Sequence, residues 1–196
     1  MAEYTLYCFA QSGNAYKPAL MLALCGADWA PRFVDFFNGE TRTPAYRQLN
    51  PMGEVPVLVH GERTLSQSGV ILDYLAERFG RFGPRDEEER REILRWLLFD
   101  NHKLTANIAT YRYLLRFMRT GETPVTEFLA GRMRAALKVL DGHLAGREWV
   151  VGDRPTWGRR REERPCAPSC GAPSSPARPA WRRSKGRSAA SRVSRT

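Results

Sequence analysis

Two serines of the chain stand where a polar side chain could stabilise a negative charge. Ser12 lies in a turn before a helical stretch rich in Ala and Leu, and Ser68 opens an amphipathic stretch. At the start of a helix, a hydroxyl, free backbone N–H groups and the positive end of the helix dipole together favour an anion. We therefore predict an anion-stabilising position at each serine, with the alternative that each hydroxyl serves only as a helix cap.

The elements around these serines predict an α/β unit in residues 1–80. Hydrophobic patterning and turn residues predict strands at 4–9, 32–36, 55–60 and around 64–65, and helices at 15–25, 43–49 and 68–79. We expect Pro18 in the first turn of its helix, where a missing N–H costs least. The order βαβα followed by ββα is typical of a small mixed sheet with helices packed on it.

Residues 86–156 have a purely helical hydrophobic pattern. After a linker at 81–85, one long helix is predicted at 86–119, where acidic residues at the start suit the helix dipole. A second helix is predicted at 124–144. We therefore predict an all-helical domain over residues 86–156, separate from the α/β domain.

Composition excludes several classes of protein. Hydrophobic residues make up 42% of the chain, as in globular proteins, and no apolar run is long enough for a transmembrane helix. The first residues lack the basic and then apolar pattern of a secretory signal. The four cysteines have scattered spacings that do not suggest a disulfide framework, so we expect a cytoplasmic protein.

The net charge of +10 is concentrated near the C-terminus. Residues 157–196 contain ten Arg, one Lys and two Glu, so this segment has a net charge of +9 and residues 1–156 have +1. A nearly neutral body argues against nucleic acid as a partner.

The histidines and cysteines do not form a metal-binding pattern. His60, His102 and His143 are isolated, and the pair Cys166 and Cys170 has no second pair of ligands. Structural zinc sites take about four ligands, usually from two such pairs. We therefore predict no metal cofactor.

Three short segments follow one another along the predicted elements. They are Ser-Gly-Asn-Ala-Tyr-Lys at 12–17, Asn-Pro-Met-Gly-Glu-Val-Pro-Val-Leu at 50–58 and Leu-Ser-Gln-Ser-Gly-Val-Ile-Leu-Asp-Tyr-Leu at 65–75. In this order they resemble the glutathione S-transferase family over residues 4–156, and the first is similar to the Ser-Gly-Asn-x-x-Lys segment of its bacterial members. The resemblance implies a thioredoxin-like N-terminal domain followed by an incomplete helical domain.

The resemblance also implies an enzyme that joins the thiolate of glutathione, its co-substrate, to a small electrophile. A free thiol has a pKa near about 8.5, so the enzyme must favour the thiolate. Ser12 is then the catalytic candidate, because its hydroxyl can donate to the sulfur, and Asn14 could add a second donor or fix the turn. Tyr7 and Cys8 are rivals, since other branches of the family use Tyr or Cys near the end of strand one.

The same resemblance assigns the residues that bind glutathione. A cis Val55-Pro56 bond would expose the Val55 backbone for strand-like pairing, whereas the alternative is an ordinary trans proline on an edge strand. Ser68, with Gln67 beside it, would bind the γ-glutamyl carboxylate at the start of its helix. Arg42 is placed for the glycine carboxylate, or else it is a solvated surface residue.

Other functions and partners stay open at this point. The alternatives are a non-catalytic interaction module with the glutathione-transferase fold, and a glutathione-dependent peroxidase or disulfide reductase. The resemblance implies a homodimer when the helical domain is complete, and no membrane partner. The predicted long helix contains the aromatic residues Trp96, Phe99, Tyr111 and Tyr113. We expect most of them in the core, and the resemblance implies that some face the electrophile.

Residues 157–196 have a different composition. They contain no Leu, Ile, Phe, Met or Tyr, so we expect a disordered basic tail. Our hypothesis is that this segment is a frameshift product that replaces the central helix of the second domain; the rival is a natural basic extension that binds nucleic acid or an anionic membrane. On the first hypothesis, apolar faces of residues 86–145 are left uncovered and activity is impaired.

Overall fold

Four strands form one mixed sheet in the structure, a computed structural model that describes residues 2–157. They are β1 (Tyr4–Cys8), β2 (Trp29–Phe33), β3 (Val57–His60) and β4 (Arg63–Ser66), and they lie in the order β2-β1-β3-β4. β1 is parallel to β2 and antiparallel to β3, and β4 is antiparallel to β3. Residues 158–196, which make up nearly all of the predicted disordered tail, lie outside the described residues.

Helices cover both faces of this sheet. They are α1 (Gly13–Leu24), a 3-10 turn (Glu40–Arg42), α2 (Pro44–Leu49) and α3 (Ser68–Phe79). Because neighbouring residues of a strand point to opposite faces, Leu58 packs in the main core with residues of α1 and α3, whereas Val57 packs in a smaller cluster with Tyr46 of α2. The predicted α/β domain with a thioredoxin-like arrangement is confirmed.

The second strand differs from its prediction. β2 spans Trp29–Phe33 and not 32–36, because its register places Trp29 opposite Tyr4 and Phe33 opposite Cys8. Pro31 lies inside the strand, which is possible because β2 is at the edge of the sheet.

The prediction that Pro18 lies in the first turn of its helix is wrong, because Pro18 lies in the interior of α1. The helix begins at Gly13, after Ser12 as the N-cap, so Pro18 is a full turn and more from the start. Proline has no N–H to donate to the carbonyl four residues back, here that of Asn14. The helix nevertheless continues to Leu24, because its buried face packs against the sheet and α3.

The second half is helical, as predicted, but its long helix is not regular. The elements are α4 (Glu87–Phe99), a π-helical segment (Asp100–Thr105), α5 (Ala106–Arg112), a second π-helical segment (Tyr113–Phe117) and α6 (Pro124–Leu144). The prediction of one regular helix at 86–119 is therefore wrong in its geometry, since each π segment has a wider turn. α6 has the predicted bounds and begins at the cap residue Thr123.

The first π-helical segment places a carboxylate against α1. Asp100 is buried, and its Oδ2 accepts a hydrogen bond of 2.7 Å from Lys17 Nζ. Thr105 Oγ1 donates to Oδ1 of the same carboxylate over 3.1 Å. A buried charge requires such partners, so this ion pair fixes α1 to the helical half.

The chain after α6 returns to the linker between the two halves. The backbone N–H of Trp157 donates to the backbone carbonyl of Phe82 over 3.0 Å, and Arg154 forms an ion pair of 2.7 Å with Glu89. Trp157 is only 9% exposed and packs in the main core. The prediction that the tail starts at residue 157 is therefore wrong for Trp157, which belongs to the folded body.

The helical half exposes many large apolar side chains. Those exposed are Leu94, Leu98, Tyr113, Phe117, Met118, Val125, Phe128, Leu137 and Val139. Exposed apolar residues in such number mark surfaces that another element or chain could cover. The expectation that apolar faces of residues 86–145 are left uncovered stays a prediction, because it depends on residues 158–196, which lie outside the described residues.

Candidate functional site

The predicted site residues converge at one end of the sheet. The register places Tyr7 opposite Val57 and Val57 opposite Ser66, so the end of β1, the start of β3 and the end of β4 lie side by side. The turn of Ser12 follows β1, the pair Val55-Pro56 precedes β3, and α3 begins directly after β4. Groups from three distant parts of the sequence therefore share one end of the sheet.

Ser12 caps α1 and keeps its hydroxyl proton available. Its Oγ accepts a hydrogen bond of 3.2 Å from the N–H of Ala15, and its own N–H donates to the carbonyl of Phe9 over 3.0 Å. Within residues 2–157 the hydroxyl proton has no acceptor. The cap uses a lone pair of the oxygen, so capping and donation to a ligand are compatible.

The side chain of Asn14 does not fix this turn. Its Oδ1 is buried and has no hydrogen-bond partner in the part of the chain that the structure describes. Buried polar atoms are usually paired, so an unpaired amide oxygen next to the Ser12 turn is an acceptor that a donor group of a ligand can satisfy.

Tyr7 and Cys8, the rival candidates, both lie within β1. Burial raises the pKa of the Cys8 thiol, which disfavours its thiolate. Tyr7 packs against the cluster of Val34, Tyr46 and Val57. Their positions inside the strand make both less suitable than Ser12 to reach a ligand in the turn.

The peptide bond between Val55 and Pro56 is cis, as the resemblance implied. The preceding carbonyl, that of Glu54, accepts hydrogen bonds of 2.9 Å from the Tyr46 hydroxyl and from Asn50 Nδ2. No partner within residues 2–157 is found for the N–H or the C=O of Val55. The loop is therefore anchored at Glu54 and presents the Val55 backbone without a partner.

Gln67 connects this loop to the start of α3. Its Nε2 donates to Glu54 Oε2 over 3.0 Å and to Met52 Sδ over 3.1 Å. Gln67 also has a φ of 66°, a conformation that is costly for a residue other than glycine. Such strain is concentrated at ligand sites, so it supports the assignment of Gln67 to the site.

Ser68 is the first residue of α3 and not its cap. Gln67 occupies the N-cap position, and no side chain caps the helix. The alternative that Ser68 serves only as a cap is therefore wrong, because its hydroxyl lies one residue too far into the helix. The first N–H groups of α3 and the buried Ser68 are left as an uncapped helix start.

Arg42 ends the 3-10 turn that follows the loop after β2. It is exposed, and its guanidinium lies against Gly39, with Nε 3.6 Å from the position that a Cβ there would occupy. Within the described residues it has no ion pair. No hydrogen bond or ion pair within the described residues joins it to Val55 or Ser68, so the structure does not bring Arg42 together with the other predicted residues.

An aromatic cluster borders the Ser12 turn. Phe9 stacks on Phe36 with ring centroids 4.7 Å apart, and Phe37 contacts Phe9 edge-on at 5.7 Å. Phe117 of the helical half lies against Phe37 at 4.8 Å, and Tyr113 lies against Phe117 at 6.1 Å. The cluster therefore joins the two halves next to the turn.

The aromatic residues predicted on the long helix have different positions. Trp96 and Phe99 are half-buried and contact each other, and both line a small cavity of about 30 Å³ with Lys17 and Asp100. Tyr113 is the predicted residue that belongs to the aromatic cluster near Ser12.

Sequence reasoning missed the groups that support the site. Asn50 is 1% exposed and, with Glu54, anchors the loop before Pro56. Phe37 and Phe117 are far apart in the sequence, and only the tertiary structure brings their rings into contact. The sequence signal for Asn50 was weak, because a polar residue before proline is typical of any turn.

Within residues 2–157, no group of three or more His, Cys, Asp or Glu side chains is arranged to hold a metal ion. The helices of the described chain also include none that is long and apolar enough to cross a membrane.

Sequence comparisons match this chain to known proteins. The family model described as Glutathione S-transferase, N-terminal domain, matches residues 2–77. Glutathione S-transferase 1 from Dianthus caryophyllus is 31% identical over 154 residues, which cover 76% of this chain and 69% of the relative.

Solved structures share the fold. A possible glutathione S-transferase from Rhodopseudomonas palustris matches with a TM-score of 0.74 and 35% identity, over 79% of this chain and 71% of that one. A glutathione transferase family member from Pseudomonas fluorescens Pf-5, solved with two glutathione bound, matches with a TM-score of 0.73 and 25% identity, over 80% and 72% of the two chains. These relatives confirm the prediction of a glutathione transferase enzyme, and the chain belongs to the glutathione S-transferase family.

Proposed function

We propose that the chain binds glutathione at this end of the sheet and joins its thiolate to a small electrophile. The observation that carries the proposal is the convergence of an unpaired backbone at Val55, an uncapped helix start at Ser68 and a hydroxyl with a free proton at Ser12. These three groups match the peptide backbone, a carboxylate and the thiol of glutathione.

Glutathione is held through its backbone and its two carboxylates. The Val55 N–H and C=O, next to Pro56, pair with the peptide as an added strand would. The γ-glutamyl carboxylate accepts hydrogen bonds from the first N–H groups of α3 and from Ser68, with Gln67 beside it. Arg42 binds the glycine carboxylate, a role supported by its exposure and by the absence of an ion pair within the described residues.

The chemistry begins with loss of the thiol proton to water. The Ser12 O–H donates to the sulfur, and the positive end of α1 and the Asn14 amide add to the stabilisation of the thiolate. The sulfur lone pair then forms a C–S bond to an electrophilic carbon. In a substitution, the leaving group departs with its electron pair. In an addition, the π electron pair of the attacked double bond moves onto the conjugated group, which then takes a proton from water.

The two halves divide this work between them. Residues 1–80 bind glutathione, and residues 86–156 hold the electrophile against its sulfur. Residues 81–85 link these two domains. Phe117 supports this division, because it reaches from the helical half to Phe37 beside the thiol site. The exposed aromatic faces favour an apolar electrophile.

We further propose that the enzyme works as a homodimer. Val70 of α3 is 52% exposed and Leu98 of α4 is 67% exposed. The two helices lie side by side, since a Cβ at Gly69 would be 2.8 Å from Leu97 Cδ2. Their exposed apolar residues therefore offer one surface to a second copy.

The proposed compartment is the cytoplasm, where glutathione is the main thiol pool. Cys8 and Cys25 support this placement, because both are free thiols in the structure. The proposal includes no nucleic acid or membrane partner.

The test measures glutathione binding by isothermal titration calorimetry and turnover with an aromatic halide. The 196-residue chain should bind glutathione, because the proposed binding groups all lie in residues 1–80. Turnover should be slow in this chain and faster in a chimera whose residues 158–196 are replaced by the helical segment of a family member. Absence of glutathione binding in both proteins would refute the proposal.

The same proteins separate the alternatives. Glutathione binding with no turnover of any electrophile, in the chain or the chimera, would favour the non-catalytic interaction module. Turnover with hydroperoxides or mixed disulfides but not with halides would favour the peroxidase or reductase.

A further inference from the structure

One contact from the helical half reaches the backbone directly before Ser12. Arg112, at the end of α5, donates a hydrogen bond from Nη2 to the carbonyl oxygen of Gln11. Gln11 and Ser12 share a peptide bond, so the guanidinium lies about one residue from the proposed thiol donor. The two residues are 101 positions apart in the sequence, and only the tertiary fold brings them together.

The charge of Arg112 is not neutralised by this contact. Its acceptor is a neutral carbonyl, and the described part of the chain provides no carboxylate partner for it. Lys17 of α1 differs, because its ammonium forms an ion pair of 2.7 Å with Asp100. Arg112 therefore leaves net positive charge beside the Ser12 turn.

Other charged groups of the described chain pair with each other or make no contact with the turn. On the loop side, Arg32 and Glu40 lie 3.9 Å apart as an ion pair. On the helical side, Arg116 follows Arg112 by about one helical turn and is exposed, with no contact to the turn among residues 2–157. The guanidinium of Arg112 is thus the cation that contacts this part of the backbone.

A guanidinium has five N–H donors in a rigid plane, so one donor can hold Gln11 while others stay available. The π-helical segments before and after α5 set the rotation of this helix and hence the direction of Arg112. A cation near a thiolate stabilises the charged form, and the effect adds to the dipole of α1.

We propose that Arg112 is a positioning residue of the thiol site, which holds the backbone before Ser12 in place and supplies the positive charge that favours the glutathione thiolate. This inference rests on the proposed function, since it assigns the sulfur to Ser12. It makes the helical half part of thiol activation and not only a wall for the electrophile.

The test uses the full 196-residue chain saturated with glutathione and needs no electrophile. The bound thiolate is followed by its ultraviolet absorbance as the pH is raised, which gives the pKa of the bound thiol. Arg112→Gln keeps a hydrogen-bond donor but removes the charge, Arg112→Lys keeps the charge, and Arg116→Gln is the matched control. Calorimetry gives the glutathione affinity of each protein, and circular dichroism melting shows that each is folded.

Arg112→Gln should raise the pKa of the bound thiol by about 0.5–1 unit, as expected for loss of a cation within several ångströms. Arg112→Lys should restore most of the parent value, and Arg116→Gln should change it by less than about 0.3 unit. Glutathione affinity should change less than about threefold in all three variants.

Two results would overturn the inference without affecting the proposed function. One is a thiol pKa in Arg112→Gln equal to that of the parent, and the other is an equal rise in Arg112→Lys and Arg112→Gln. If the parent chain does not bind glutathione at all, the proposed function fails and the inference fails with it.

Discussion

Replacing Ser68 by alanine tests the anion site at the start of α3. The Ser68 side chain is buried, with 6% of the residue exposed, yet its hydroxyl makes no hydrogen bond within residues 2–157. The substitution therefore removes no contact of the unliganded protein. Because the substitution keeps the surrounding contacts, the Tm should be nearly unchanged.

The cost should appear only when glutathione binds. A hydrogen bond to a charged group contributes about 1.5–3 kcal/mol, and about 1.4 kcal/mol corresponds to a tenfold change in affinity. Ser68→Ala should therefore weaken glutathione binding roughly 10- to 150-fold. The free N–H groups of α3 are unchanged, so binding should be weakened and not abolished.

Isothermal titration calorimetry of the parent, Ser68→Ala and Thr64→Ala measures this effect. Thr64 is an exposed hydroxyl residue of β4 away from the start of α3, which makes it a matched control. Equal affinity of all three proteins for glutathione would refute the assignment of Ser68. A large loss of Tm in Ser68→Ala would show instead that the hydroxyl has a structural partner.

Three further changes test the chemistry and the fold. Ser12→Ala should raise the pKa of the bound thiol and lower kcat with little change in glutathione affinity, as a pH–rate profile of the chimera would show. Lys17→Met should lower the free energy of unfolding by about 2–4 kcal/mol in urea denaturation, because it leaves the carboxylate of Asp100 without its 2.7 Å partner. Burial raises the pKa of Tyr46 to about 12 in the folded protein, whereas the pKa of tyrosine in the unfolded chain is about 10. The neutral phenol therefore stabilises the fold fully below about pH 10, and this stability is lost as the pH rises toward the folded pKa. Tyr46→Phe should therefore make the urea midpoint less dependent on pH in this alkaline range.

Each of these changes has a control. Ser12→Gly keeps most of the cap stability, since glycine is tolerated at an N-cap, so a shift seen in both Ser12 variants reports the lost hydroxyl. Lys138→Met removes an exposed lysine of α6 that has no ion pair in the described chain, and it should leave the unfolding free energy within about 0.5 kcal/mol. If Lys17→Met is no more destabilising than Lys138→Met, the ion pair does not hold the two halves together. An unchanged alkaline slope in Tyr46→Phe would contradict the role given to burial.

The sequence predicted the elements whose signals are local. α3 and α6 have the predicted bounds, because their hydrophobic spacing lies within the elements themselves and, for α3, a glycine follows its last residue. The segments at 12–17, 50–58 and 65–75 likewise predicted the family. Local patterns were less reliable for β2, where Pro31 lies inside the strand and pairing with β1 decides the bounds.

The tertiary structure alone decided how distant residues meet. The ion pair of Lys17 with Asp100, the contact of Arg112 with Gln11 and the burial of Trp157 each join residues far apart in the sequence. The π-helical segments also belong here, since a helical repeat in the sequence predicts a helix but not where an extra residue widens a turn. Periodicity and turn residues act within a few residues of themselves, whereas the charge, burial and hydrogen bonding of the site depend on which surfaces pack together.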